Sequence, residues 1–417
     1  MSCNEWKKLT IDDICTVTDC QHKTAPVVDY ITEYKMLRTS NIRNGKIDRV
    51  NVKYVNKDIY DKWSARGYLE IDDVILTREA PMGEVGIIKT KDKFFLGQRM
   101  LQLKAKKALI SPDFLYYSLL SPLIQNQIRI NEGMGSVVSN IRIPLLKKMN
   151  INIPNLEEQK KITDILSCID EKIELNNEMN KTLEEMAQSI FKRWFVDFEF
   201  PNEDGEPYKS SGGEMVDSEL GMIPKGWEVK ELSQLVNIIT KSEKPFENED
   251  ILYEHFSIPA LDSNKLPILE FGNSISSNKY KIDNDCILIS KLNPNNKRIW
   301  NPYCNTSNSI CSTEFIVYKA INNYPKSYIY EIINSDEFTK FLVANATGST
   351  GSRQRVKPKD TLGYKIVLPT IDKIIEIDKI LSPIHKNIQL NTQESNTILQ
   401  IRNTLLPKLM SGEIKVN

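Results

Sequence analysis

Between Glu157 and Phe195 the apolar residues keep a seven-residue repeat that the flanking segments lack. Ile162, Leu166, Ile169, Ile173, Asn176, Asn180, Leu183, Ala187, Ile190 and Trp194 follow at alternating steps of four and three, which is the seam of a coiled coil. Glu171, Lys172, Glu178, Lys181 and Glu185 make the rest of the helix wettable, so the seam must find a partner. A shift of 215 positions lays Ile377, Leu381, Ile384, Ile388, Asn391, Ser395, Ile398, Arg402, Leu405 and Leu409 on the same ten positions without a gap. Both seams are polar at their middle, at Asn176 with Asn180 and at Asn391 with Ser395. Buried polar groups fix register at some cost in stability. In an antiparallel pairing those polar centres meet. The competing expectation is that each helix only packs on its own neighbouring domain, but two unrelated packings need not share one pattern.

The repeat extends beyond the helices. Trp6-Lys7-Lys8-Leu9 restarts as Trp227-Glu228-Val229-Lys230-Glu231-Leu232, and the strand-like runs Val74 to Thr77 and Met100 to Leu103 match Cys286 to Ser290 and Glu314 to Tyr318. Further strand-like runs are Val50 to Val55 and Val85 to Ile88. A helix is expected at Asp113 to Ile130 and its counterpart at Ser327 to Val343. Each is followed by a small-residue loop, Asn131 to Asn140 or Ala346 to Ser352, and by a short strand ending in Pro154 or Pro369. Pro201 to Met222, rich in Gly, Ser, Glu and Asp, reads as a flexible connection. The expected fold class is α+β, an internal duplication. Its parts are a domain over 1–155, a long helix over 156–198, a linker over 199–222, a second domain over 223–370 and a second long helix over 371–417.

Composition narrows the function classes. Lys plus Arg and Asp plus Glu are both 55, which excludes a uniformly basic surface but leaves local basic patches. No apolar run reaches the roughly 18 residues of a membrane span and Met1 to Thr10 is polar, so a cytoplasmic protein is expected. Seven cysteines form no CxxC pair, and reduced thiols are the simplest reading. Cys15, Cys20 and His22 are the nearest approach to a metal cluster but have no fourth ligand nearby, so no metal is expected.

The search for catalytic machinery names no residue. His22, His255 and His385 sit in no recognisable motif, and there is no phosphate loop of the GxxxxGK[ST] kind. Asn293-Pro294-Asn295-Asn296 resembles the adenine-holding motif of amino-methyltransferases, but Asn296 stands where a stacking ring is needed. A polar turn is the simpler reading. Basic loops are better supported: in Thr347 to Lys359, Ser349, Thr350, Arg353, Gln354, Arg355 and Lys357 are candidate DNA contacts, arginine suiting guanine and glutamine adenine. The first half offers Ser136, Ser139, Asn140 and Arg142 at the matching place. Arg78, Arg99, Lys291, Lys297 and Arg298 complete the candidate set.

Three motifs then carry a resemblance. Phe191-Lys192-Arg193-Trp194-Phe195-Val196-Asp197-Phe198, Gly221-Met222-Ile223-Pro224-Lys225-Gly226-Trp227 and Thr404-Leu405-Leu406-Pro407-Lys408-Leu409-Met410-Ser411-Gly412-Glu413-Ile414 resemble the specificity subunit of type I restriction-modification systems, in the same order. The resemblance implies two target recognition domains reading a bipartite, asymmetric site in double-stranded DNA. It implies that two long helices hold them apart as an antiparallel coiled coil. It also implies two modification subunits that methylate adenine with S-adenosylmethionine, further restriction and translocase partners that use ATP, and no catalysis or cofactor in this chain. Trp194, Phe195 and Phe198 are expected to belong to the docking surface for those partners. Two rival expectations stay open: a methyltransferase or nuclease with an unfamiliar site, and a scaffold that joins proteins without touching DNA.

Overall fold

The computed structural model describes residues 6–130, 140–263, 265–321, 324–348 and 354–416. The chain divides into two compact units, Met1–Ile173 with Thr397–Asn417, and Glu174–Asn396. Each holds one globular domain and a share of both long helices, Leu156–Phe195 and Ile371–Ser411.

In the first unit a four-stranded antiparallel sheet has the order Cys15–Asp19, Met100–Ala105, Val74–Thr77, Val85–Ile87. Val74, Ile75, Leu76, Met100, Leu101 and Leu103 are fully buried. The sheet is covered on both faces, and its central strands therefore read as continuous apolar runs instead of alternating. A smaller sheet pairs Tyr34–Leu37 in parallel with Lys93–Leu96. The outer strand Lys7–Thr10 pairs with Asn150–Ile153, Leu9 opposite Ile151.

The second unit repeats this plan. Its main sheet has the order Val236–Ile238, Phe315–Ala320, Cys286–Ser290, Ile299–Trp300. Its second sheet pairs Leu252–Phe256 in parallel with Ser309–Ser312, and Glu228–Glu231 pairs with Lys365–Leu368. Duplication of element order is thus duplication of topology.

Each expected amphipathic helix is two helices. Pro112–Leu120 and Pro122–Ile130 are separated at Ser121, whose ψ of 145° is extended. Pro122 has no N–H to continue the ladder and excludes the helical conformation from the residue before it. In the second unit Lys326–Ile333 and Asp336–Ala344 break at Ser335, whose hydroxyl accepts from the amide of Phe338 at 3.1 Å. An N-cap restarts the helix there.

None of the twenty seam residues is exposed. In the second unit the polar centres meet antiparallel: Asn176 Nδ2 donates to Ser395 Oγ at 3.2 Å and to a Glu394 carboxylate oxygen at 2.8 Å, and Asn391 Nδ2 donates to Asn180 Oδ1 at 2.9 Å. The helix ends also join their domain cores. Ile162, Leu166, Leu406 and Leu409 enter the core of the first unit, and Ala187, Trp194, Ile377 and Leu381 that of the second. Pairing at the middle and packing on the domain at the ends thus coexist.

Two expectations need correction. Pro201 to Met222 is structured: Met215–Ser218 and Gly221–Pro224 form a hairpin, and Phe200 stacks between Tyr208 and Trp227 at 4.6 and 4.8 Å. A few aromatic rings supply enough buried area to order a polar segment. Trp194, Phe195 and Phe198 are buried with Trp227 and Tyr328 in that same core, so they present no docking surface.

Candidate nucleic-acid interface

A single backbone frame recurs at the end of the central strand in both domains. In the first, the amide of Arg78 donates to the carbonyl of Arg99 at 2.7 Å, and the amide of Ile141 donates to the carbonyl of Arg78 at 3.1 Å. In the second, the amide of Lys291 donates to Glu314 at 2.8 Å, and the amide of Val356 to Lys291 at 3.0 Å. Ile141 and Val356 are the same position after the 215-residue shift. Each frame delivers one chain segment to the strand end just before a short helix with proline in its first turn, Ile143–Lys147 or Pro358–Thr361. Arg142 and Lys357 are the N-cap residues of those helices.

The frame sorts the sequence candidates. Arg78 is a structural arginine: its guanidinium donates to both Asp19 oxygens at 3.1 Å and to the Ile141 carbonyl at 3.2 Å. Lys291 donates to the Thr313 carbonyl at 2.6 Å and lies over the Tyr280 ring, and burial lowers its pKa from the ordinary lysine value. Arg298 is held by both oxygens of Asp262 at 2.7 and 2.8 Å, and Lys297 pairs with Asp336 at 3.3 Å. Arg99, at φ +68°, pairs with Glu79 at 3.2 Å, and Arg355 with Glu314 at 3.2 Å, both with exposed side chains. Asn140 is half-buried.

Gln354 Oε1 is buried without a hydrogen-bond partner among the described residues. The carbonyl of Gln354 accepts from the amide of Asn293, which places the Asn293 to Asn296 turn beside the basic loop. Ser136, Ser139, Ser349, Thr350 and Arg353 lie outside the described residues.

Arg142 and Lys357 are different. Both are exposed, and neither has an acidic partner among the described residues. A cation at one equivalent position in both domains, without an acidic partner among the described residues, suits phosphate contact. Beside Arg142, sequence reasoning overlooked Ile143, Pro144 and Leu145, which with Arg78 and Arg142 line an open concavity of about 510 Å³. Their apolar character was the available signal.

Elsewhere, Asp19, Cys20 and His22 bring ligand atoms within 4.8 Å of one another, whereas Cys15 Sγ donates to the Ile11 carbonyl at 3.2 Å. Asp19 is already engaged by Arg78 and, at 2.9 Å, by His22. His255 pairs with Glu270 and His385 with Glu331, each at 2.7 Å. None of these pairs is hydrogen-bonded to a Ser, Thr or Cys side chain among the described residues, as an activated nucleophile would be. No helix among the described residues is long and apolar enough to cross a membrane.

A family model described as the type I restriction modification DNA specificity domain matches residues 4–185. Over 352 residues the chain is 26% identical to the type I restriction enzyme MjaIX specificity subunit of Methanocaldococcus jannaschii, covering 82% of this chain and 78% of that one. Over 395 residues it is 25% identical to the type I restriction enzyme HindI specificity subunit of Haemophilus influenzae, covering 78% and 82%. The crystal structure of a type I restriction-modification S subunit from M. genitalium shares the fold, with a TM-score of 0.57 at 18% identity over 98% of this chain and 97% of that one.

Proposed function

We propose that this chain is a type I restriction-modification specificity subunit, and that each of its two domains reads one part of a bipartite, asymmetric DNA site through the framed loops. The observation that carries the reading is the repeated frame, with Arg142 and Lys357 at one equivalent position, each exposed and without an acidic partner among the described residues. Loops built alike but lined by different side chains suit recognition of two unlike sequences.

In this reading the subunit is not catalytic. Two modification subunits dock on it and methylate adenine with S-adenosylmethionine, and restriction subunits that use ATP join them. The long helices supply matched surfaces for two copies of one partner. Leu175 and Leu390 are equivalent after the shift and both 51% exposed, and Met186 and Ile401 are 48% and 47% exposed. Exposed apolar residues repeated on two helices are costly unless covered.

The test is to co-express the chain with the modification subunit of its own source and map methylated adenines across the host genome. One interrupted motif with unequal halves is the expected result. Assembly without any methylated motif would leave the chain a scaffold, and methylation by this chain alone would make it an enzyme. Leu175→Asp with Leu390→Asp should abolish assembly, whereas Arg142→Ala with Lys357→Ala should weaken DNA binding and leave assembly intact.

A further inference from the structure

The concavity beside Arg142 has a chemistry that its counterpart lacks. Arg78, Arg142, Ile143, Pro144 and Leu145 line it, and the lining is mostly apolar, with the exposed Arg142, which can only donate, at its edge. Pro144 has no N–H, and Arg78 is fixed in place by Asp19 and the Ile141 carbonyl. In the second domain the 215-residue shift puts Pro358, Lys359 and Asp360 where Ile143, Pro144 and Leu145 stand. That rim is charged, with Lys359 and Asp360 both exposed.

In the major groove, thymine presents an acceptor, O4, beside its C5 methyl group, whereas cytosine presents an amino donor there. An arginine donor, Arg142, next to apolar side chains satisfies the first and leaves the second facing a donor. The exposed charge of Arg142, without an acidic partner among the described residues, draws the duplex backbone to the rim.

We propose that the concavity formed by Arg78, Arg142, Ile143, Pro144 and Leu145 takes the methyl-bearing edge of a thymine, making the half-site of the first domain thymine-dependent. The second domain has no such preference for the methyl group. This rests on the DNA-reading function above and names what one of its two loops selects. Burial of one methyl group corresponds to about a fourfold change in binding.

The experiment uses the chain assembled with its modification subunit and synthetic duplexes carrying the mapped motif. Each thymine of the motif is replaced in turn by deoxyuridine, which removes only the methyl group. At one thymine of one half-site the exchange should weaken binding about fourfold. Leu145→Ala, or Pro144→Ala where Leu145→Ala impairs folding, should bind both duplexes equally, because the methyl then has no apolar partner. A motif in which no exchange matters overturns the proposal, as does a methyl effect that survives both variants. A complex that assembles but binds no motif removes the DNA-reading function itself, and the proposal with it.

Discussion

The two domains share one topology and one backbone frame, yet almost every polar interaction built on them differs. At the strand end the first domain places Arg78 opposite Arg99, and the second places Lys291 opposite Glu314. Where the domain meets its long helix, the first unit has Tyr117 donating to Asp170 at 2.9 Å and Asp170 paired with Arg402 at 2.6 Å. The second puts Glu331 against His385 at the shifted position of Asp170. Backbone geometry and apolar burial are therefore what the duplication retained. Side-chain polarity was free to diverge, because a frame of amide-to-carbonyl bonds is indifferent to the side chains it carries.

The largest effects test the shared part. Leu166 and Leu381 occupy equivalent seam positions and both are fully buried. Leu166→Ala and Leu381→Ala should each cost about 2–5 kcal/mol in chemical denaturation. A cost below about 1 kcal/mol for one of them would break the equivalence of the two cores.

Next comes the divergent junction. His385→Ala leaves the Glu331 carboxyl group, 2% exposed, without its partner and should cost about 1–3 kcal/mol. His385→Asn, which can still donate, should restore part of it; equal losses would mean that packing of the ring against Tyr330 carries the effect.

The DNA-facing prediction is smaller in energy. Arg142→Ala and Lys357→Ala should each lower the slope of log binding constant against log salt by about 1 for the assembled complex. Arg298→Ala should leave it unchanged, since Asp262 already holds that guanidinium. An equal change in all three would return Arg298 to the interface.

The smallest effect separates Arg78 from Lys291. Burial lowers the Lys291 pKa in the folded protein, so the unfolded chain binds more protons between that lowered value and the ordinary lysine value. Stability should rise with pH through that window and fall as pH falls through the folded value. Lys291→Met should flatten the rise measured by denaturation, whereas Arg78→Met should not alter it, because a guanidinium stays charged throughout. A slope unmoved by Lys291→Met would assign the pH dependence to other groups.

Much of this was legible in the residues. The heptad seam, the 215-residue shift and the strand runs depend on periodicity and local bonding, which the order of residues expresses directly. The misreadings have physical causes. Helix periodicity at Asp113 to Ile130 runs through a break that Pro122 imposes, and the polar composition of Pro201 to Met222 hides the stack of Phe200 on Tyr208 and Trp227. Basic residues looked alike in sequence because charge alone does not say whether an acid lies opposite.

By itself the order of residues determined that the chain is a duplicated α+β protein with two seam-bearing helices and a small-residue stretch in the same place in each half. Only the tertiary structure decided which cations are spent internally, Arg78 on Asp19 and Arg298 on Asp262, and which, Arg142 and Lys357, are left without an acid among the described residues. Ion pairs join residues tens of positions apart, and their formation depends on the distances that folding creates.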